Sequence, residues 1–226
     1  METLLTRAFT LAAQLHAAQT RKTSIVPNTP YLGHLLEVAG IVQSNGAPEV
    51  AVAAALLHDA IEDQGAATRE LIQDQLGPEV LALVEECTEP GTGGATKAPW
   101  RERKEGYLQQ VLRASTAALL IKCADKLQNA RDLRKQVYLE GEQAYAAFTR
   151  GKADKLWFYH TFVQTARERQ QVLQQSQLDQ PLLRAIDYLL IELDEVLTDL
   201  DSPGNRRQAP NLQEIGSGRD KGEVGV

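Results

Sequence analysis

Apolar residues recur along most of this chain at intervals of three and four, the spacing of a helix that buries one face. Between residues 2 and 20, Leu4, Leu5, Phe9, Leu11, Ala12 and Leu15 fall on roughly one side. Residues 21–33, RKTSIVPNTPYLG, interrupt the pattern with two prolines, an asparagine and a glycine, and predict a loop. A helix from Leu32 to Ser44 follows, stopped near Asn45-Gly46. Pro48 stands where a first-turn proline belongs and opens a helix expected to run to Asp63. Thr68 with Leu71 begins a short helix, Gly77-Pro78 breaks it, and residues 78–87 continue helically. Residues 88–99, TEPGTGGATKAP, are glycine-rich and predict a loop, long enough to act as a linker or as a flap over a pocket. WRERKEGYLQQVLRA (100–114) is a charged, half-apolar helix, and Thr116 to Lys135 is a second strongly apolar one. Lys152–Gln177 and Pro181–Leu200 predict two long closing helices. No strand-like alternation and no internal repeat interrupts this series. The expectation is an all-α bundle of about ten helices, with one domain over residues 1–200. Residues 201–226, without aromatics and rich in glycine and charge, predict a disordered tail.

Composition narrows the setting. Hydrophobic residues make up 43% of the 226 positions, enough for a sizeable core. The formal net charge of −6 argues against a nucleic-acid backbone as partner, while leaving room for a phosphorylated small molecule held by a few local cations. Cys87 and Cys123, each beside apolar residues, read as small buried thiols of a reducing compartment. No apolar run reaches the length of a membrane span. The N-terminus lacks the basic segment and cleavage site of a signal peptide, so a cytoplasmic protein is expected.

The chemistry concentrates where apolar runs end in charge. AAALLHDAIED (53–63) passes from pure core to His58, Asp59, Glu62 and Asp63 within six positions. On one continuous helix, His58 pairs with Glu62 and Asp59 with Asp63, four apart, at a C-terminal end whose dipole disfavours acids. A divalent cation reverses that cost. His34, near the start of a helix with an apolar face, and Asp125, inside ALLIKCADKLQNARDL, are two more polar residues in apolar contexts. His34, His58, Asp59 and Asp125 together offer two imidazoles and two carboxylates. Such mixed ligation suits Mn²⁺, Fe²⁺ or Zn²⁺ and leaves room for a water, which on a metal is a nucleophile near neutral pH.

These residues, in this order in an all-α chain, resemble the HD metal-dependent phosphohydrolase superfamily. TPYLGH (29–34), AALLHDAIED (54–63), LGPEVLALVEECTE (76–89), RERK (101–104) and CADKLQNARDL (123–133) are similar to the hydrolase domain of the RelA/SpoT family, most of all to its small stand-alone alarmone hydrolases. The resemblance covers residues 5–165. It implies an HD-domain helical bundle and a Mn²⁺-dependent guanosine-3′,5′-bis(diphosphate) 3′-pyrophosphohydrolase. It implies that His34, His58, Asp59 and Asp125 bind the metal and that Glu62 and Asp63 orient or deprotonate the attacking water. It places Arg21, Lys22, Asn129, Lys155 and Tyr159 against the nucleotide. The chain ends before a synthetase domain of that family would fit, so hydrolysis alone is expected. The sequence also departs from the family. Leu35 stands where proline usually follows the first histidine, Gln64 replaces a threonine, and the 21–33 loop is longer. That loop should touch the guanosine, so another nucleotide, such as the 2′-phosphate of NADPH or a nucleoside monophosphate, is the alternative substrate. A non-catalytic nucleotide-sensing module is the third.

Each residue also has a plainer reading. The His58-Asp59 doublet can be a helix-end pair, and His34 a satisfied core histidine. Asp125 can pair with Lys122 or Lys126, and Glu62 and Asp63 can be a solvated helix end. Arg101, Arg103 and Lys104 can be a solvated face or phosphate contacts. His16 and His160 read as structural or surface residues, and Trp100 and Trp157 as core or cleft walls.

Overall fold

A computed structural model describes residues 2–21, 26–91, 98–148, 150–176 and 179–202. Among them are α1 (Leu4–Leu15), α2 (Leu32–Ser44), α3 (Glu49–Leu56), the five-residue α4 (Ala60–Gln64), α5 (Thr68–Leu76), α6 (Pro78–Cys87), α7 (Trp100–Val111), α8 (Thr116–Glu140), α9 (Gly151–Gln174) and α10 (Gln180–Asp201). A 3₁₀ helix, Gly141–Ala147, joins α8 to α9. The described residues contain no strand, in agreement with the all-α expectation. A lone antiparallel bridge pairs Thr20 with Pro30. It carries bonds from Arg21 N–H to the Thr29 carbonyl and from Tyr31 N–H to the Gln19 carbonyl, both 2.9 Å, and so closes the base of the loop before α2.

α8 is the axis of the bundle. It packs against α2, α3, α6, α9, α10 and the 3₁₀ helix, and it buries residues on every side. Leu119, Leu120, Ile121, Leu127 and Ala130 are wholly buried, which explains why its sequence shows no single apolar stripe. Ser115 caps its start by accepting from Ala118 N–H, and Gly141, at φ 66°, ends it one turn beyond the expected Lys135. α9 and α10 close the far side. Arg131 to Glu192, Arg134 to Asp199 and Arg167 to Asp194 tie α10 to its neighbours at the rim.

Most boundaries fall where the hydrophobic pattern puts them. Gly77, at φ 92°, separates α5 from α6, and Pro78 opens the latter. Three expectations need correction. α1 stops at Leu15, and Phe9, placed on the inner side by spacing, is 41% exposed; Leu11 and Ala12 are buried as expected, and Ala8 joins them. The segment between α8 and α9 contains a 3₁₀ helix, not only a polar connection. The predicted helix from Pro48 to Asp63 is two helices, with a break over residues 57–59. The expected tail from residue 203 on, the loop residues 92–97 and Lys22 lie outside the described residues.

The break has a local cause. Leu57 N–H bonds the Ala54 carbonyl and Ala60 N–H bonds the Leu57 carbonyl, so two tight turns replace the α-helical ladder. Leu57 itself is wholly buried and anchors the turn in the core. Leu57→Ala should therefore cost about 2–5 kcal/mol, the range for truncating a buried leucine, read by urea unfolding with an unchanged m-value. A loss below about 1 kcal/mol would show that the turn is held by something else.

Candidate active site

The break in the α3–α4 segment decides where the histidine and the acids go. His58 follows the anchored Leu57, and its Nδ1–H donates to the Ala55 carbonyl at 2.8 Å. A carbonyl only accepts, so Nδ1 carries the proton and Nε2 faces away from the helix with its lone pair. Asp59 becomes the residue before α4, and Glu62 and Asp63 lie in the first turn of α4. The acids thus start a helix, short as it is, where the sequence pattern had placed them at the end of one. Asp63 N–H closes onto the Asp59 carbonyl at 2.9 Å.

His34, on the first turn of α2, and Asp125, midway along α8, complete a cluster. His34 Nε2 lies 3.3 Å from Asp125 Oδ1 and 3.6 Å from Asp59 Oδ2. His58 Nε2 lies 3.1 Å from Asp59 Oδ2 and 3.6 Å from Asp125 Oδ1. Neither Nε2 has a hydrogen-bond partner, although both are buried. Atoms about 2.1 Å from one ion stand about 3.0–3.5 Å from each other in tetrahedral or octahedral arrangement. Two of the four separations, 3.1 and 3.3 Å, fall within that range, and the two of 3.6 Å lie just above it. Among the described residues, the ligand atoms of His34, His58 and Asp59 all lie within 4.8 Å of one another, a group that does not include Asp125. Orphaned buried nitrogens beside two carboxylates are a donor set that fits a divalent cation.

Charge at the cluster is strongly coupled. Burial pushes both imidazoles down, but the neighbouring Asp59 and Asp125 outweigh it and hold both above the usual histidine range. Burial likewise pushes Asp59 and Asp125 up, yet both sit well below the carboxylate range. His58 is the main cause for Asp59, and Lys126 for Asp125. The carboxylates have further partners. Tyr31 Oη–H donates to Asp59 Oδ2 at 2.5 Å, Asn129 Nδ2–H donates to Asp125 Oδ1 at 2.5 Å, and Lys126 Nζ binds Asp125 Oδ2.

The cluster opens into a cavity of about 420 Å³ lined by acids and lysines together. Asp59, Glu62, Asp63 and Asp125 are its acidic lining. Glu62 is held up to about 7 by burial, reinforced by Asp59 and Glu89. Asp63 accepts from Gln19 Nε2 at 2.7 Å, and Gln64 Nε2 steadies Gln19 from behind at 2.9 Å. Lys104, Lys122, Lys126 and Lys155 line it as well, among Tyr107, Phe158, Tyr159 and Phe148. Lys122 is 1% exposed, donates to Gln110 Oε1, and lies 4.0 Å from the Tyr107 ring centroid. Burial lowers it to about 8. Lys155 is lowered to about 7, first by burial and then by Lys126 and Lys104.

The predicted nucleotide-contacting residues divide. Lys155 and Tyr159 line the cavity, and the Lys155 ammonium lies 5.1 Å from the Tyr159 ring centroid. Arg21 and Asn129 also line it but are joined: Arg21 Nη2 donates to Asn129 Oδ1 and to Asp132 Oδ2, both at 2.9 Å. Lys22 lies outside the described residues. The plain readings also divide. Asp125 pairs with Lys126 and not with Lys122. Arg103 and Lys104 bind the buried Glu89, whereas Arg101 pairs with Glu105 and stacks over Trp157. His16 is buried against Tyr31, and His160 pairs with Asp201 at the surface. Trp100 lines the cavity and meets Trp157 edge-on.

Sequence reasoning missed Tyr31, Gln19, Gln128 and, among the cavity lysines, Lys122 and Lys126. A signal for those two lysines was present. Lys122, Lys126 and Asn129 follow one another at helical spacing beside Asp125, so α8 presents cation, carboxylate and amide on one face. Lys104, read as a surface residue or phosphate contact, and Lys155, expected at the nucleotide, reach the same cavity from α7 and α9.

Comparison with known proteins agrees with this geometry. A family profile described as HD domain matches residues 8–155. The guanosine-3′,5′-bis(diphosphate) 3′-pyrophosphohydrolase MESH1 of Xenopus tropicalis is 38% identical over 134 residues, covering 58% of this chain and 70% of that protein. Its Homo sapiens counterpart is 38% identical over 133 residues with the same coverage. The GTP pyrophosphokinase rsh of Brucella ovis is 37% identical over 133 residues, but these are only 17% of its length. Among solved structures, one described as a metazoan ortholog of SpoT that hydrolyzes ppGpp superposes with a TM-score of 0.63 at 26% identity, over 85% of this chain and 96% of that one. The structure of lmo0812 from Listeria monocytogenes EGD-e gives 0.60 at 27% identity, over 73% and 99%. Two buried imidazoles converging on two carboxylates, in an all-α bundle whose residues 8–155 match that profile, place the chain in the HD domain family.

Proposed function

We propose that this protein is a metal-dependent phosphohydrolase that removes the 3′-pyrophosphate of guanosine tetra- or pentaphosphate, giving GDP or GTP and pyrophosphate. The observation that carries the reading is the convergence of His34 and His58 on Asp59 and Asp125, beside a cavity also lined by Lys104, Lys122, Lys126 and Lys155. The relatives named for this activity support the substrate. His34 and His58 through Nε2, with Asp59 and Asp125, would hold the ion; Mn²⁺ is the favoured one, with Fe²⁺ or Zn²⁺ compatible with the same donors. Such an ion lowers the pKa of a coordinated water towards neutrality and offsets charge on the phosphoryl oxygens.

The chain's own groups supply the rest. Glu62 and Asp63 face the cavity from the first turn of α4 and take the proton of the attacking water. Asp63 is steadied by Gln19, and Glu62, held up to about 7, is suited to accept a proton near neutral pH. The water's oxygen forms the new bond to the 3′ phosphorus while the bond from that phosphorus to the ribose 3′-oxygen breaks. The departing oxygen takes up a proton, and pyrophosphate leaves. Lys104, Lys126 and Lys155 stand where the phosphates would lie, and Tyr159 and Trp100 offer flat apolar surface to the nucleoside. The presence of both Glu62 and Asp63 at the cavity favours turnover over ligand sensing. A nucleotide substrate and an acidic chain support a cytoplasmic protein with no nucleic-acid or membrane partner. No described helix is long and apolar enough to cross a membrane.

The direct test incubates purified protein and Mn²⁺ with the alarmone, NADPH and nucleoside monophosphates and identifies the products. Pyrophosphate from the alarmone is expected; orthophosphate from NADPH or a monophosphate, with none from the alarmone, transfers the activity to the alternative substrates. Asp63→Asn should lower kcat by about 10²–10⁴-fold while bound metal per chain stays unchanged. Equal turnover by the variant would remove Asp63 from catalysis. The pH profile is a further check. A base must be ionised, so kcat/KM at saturating Mn²⁺ should fall as pH drops through an acid limb at or below about 7, the value for Glu62 without added positive charge nearby. The limb should be absent in Glu62→Gln; an acid limb unchanged in that variant would exclude Glu62 as the base.

A further inference from the structure

The first histidine is held by a two-residue chain that ends at the surface. His34 Nδ1 lies 2.5 Å from Gln128 Oε1, and Gln128 Nε2 lies 2.8 Å from Glu37 Oε2. His34 and Gln128 are buried, whereas Glu37 is exposed, one turn along α2 from His34.

The chemistry of these three groups fixes their direction. A carboxylate only accepts hydrogen bonds, so the amide of Gln128 must turn its NH₂ towards Glu37. Its carbonyl oxygen then faces His34 and also only accepts. Nδ1 of His34 therefore carries the proton, and in the neutral ring Nε2 holds the lone pair directed between Asp59 and Asp125. The opposite amide orientation would present NH₂ to Nδ1, leave the proton on Nε2 and block it as a ligand.

We propose that Glu37 and Gln128 are positioning residues for the metal: Glu37, from the protein surface, selects through the Gln128 amide the His34 tautomer able to bind a cation. The inference rests on His34 being a ligand, as in the proposed function. It also gives a role to the residue between Leu127 and Asn129 in ADKLQN, which that reading left without one.

Glu37→Lys tests it from an exposed position, where folding is not at stake. A lysine donates, draws the Gln128 carbonyl oxygen towards itself and turns NH₂ onto His34. Mn²⁺ affinity, measured by chelator competition, should weaken about 10–100-fold, the usual effect of losing a group that orients a ligand. Leu36→Lys places the same ammonium at the adjacent exposed residue, half the charge change of Glu37→Lys, and should stay within about twofold of wild type. In the double variant E37K/Q128E, the introduced carboxylate accepts from His34 Nδ1–H and pairs with the introduced ammonium, so affinity should return to within about threefold. An E37K affinity equal to that of L36K, or a double variant no tighter than E37K, would overturn the proposal. His34→Ala separates it from the reading beneath: wild-type affinity in H34A removes His34 from the ligand set. Weak binding by H34A beside unchanged E37K sinks only the tautomer control.

Discussion

Two carboxylates facing two imidazoles inside an apolar bundle is the arrangement on which the rest depends. Asp59 and Asp125 would repel one another if nothing positive stood between them, and their burial in α-helical core makes the repulsion strong. Every neighbouring element answers that demand. α8 brings Lys126 and Asn129 to Asp125, the loop before α2 brings Tyr31 to Asp59, and α2 and the turn after α3 bring the imidazoles. The helices can converge this closely because the surrounding positions are small and wholly buried: Ala51, Ala53, Ala54 and Ala55 on α3, Ala118 and Ala124 on α8.

The ends of most helices were legible because glycine, proline and capping residues act locally. Ser115, Gly77-Pro78 and Asn45-Gly46 work within a turn of where they stand. The division of the Pro48–Asp63 segment was not legible. Residues 49–57 are nearly all apolar, so the run has no phase from which a break could be read, and neither glycine nor proline marks it. The break comes from contacts made in space: Leu57 fixed in the core and the His58 ring turned back onto Ala55.

The site shows the same division. His34, His58, Asp59 and Asp125 stood out because a polar group within an apolar run demands a reason. The groups that orient them did not. Gln128 and Tyr31 are ordinary residues in ordinary contexts, and their importance comes from what the fold sets against them. Arg21, expected at the nucleotide, lines the cavity, and its guanidinium also links Asn129 to Asp132 on the helix that carries Asp125.

The lysines of the cavity have a consequence for how it meets a ligand. Lys155, lowered to about 7 by burial and then by Lys126 and Lys104, is crowded by like charge. An anion settling beside it would offset that crowding and favour the protonated amine. Protonation of Lys155 and binding of a phosphorylated ligand would therefore reinforce one another.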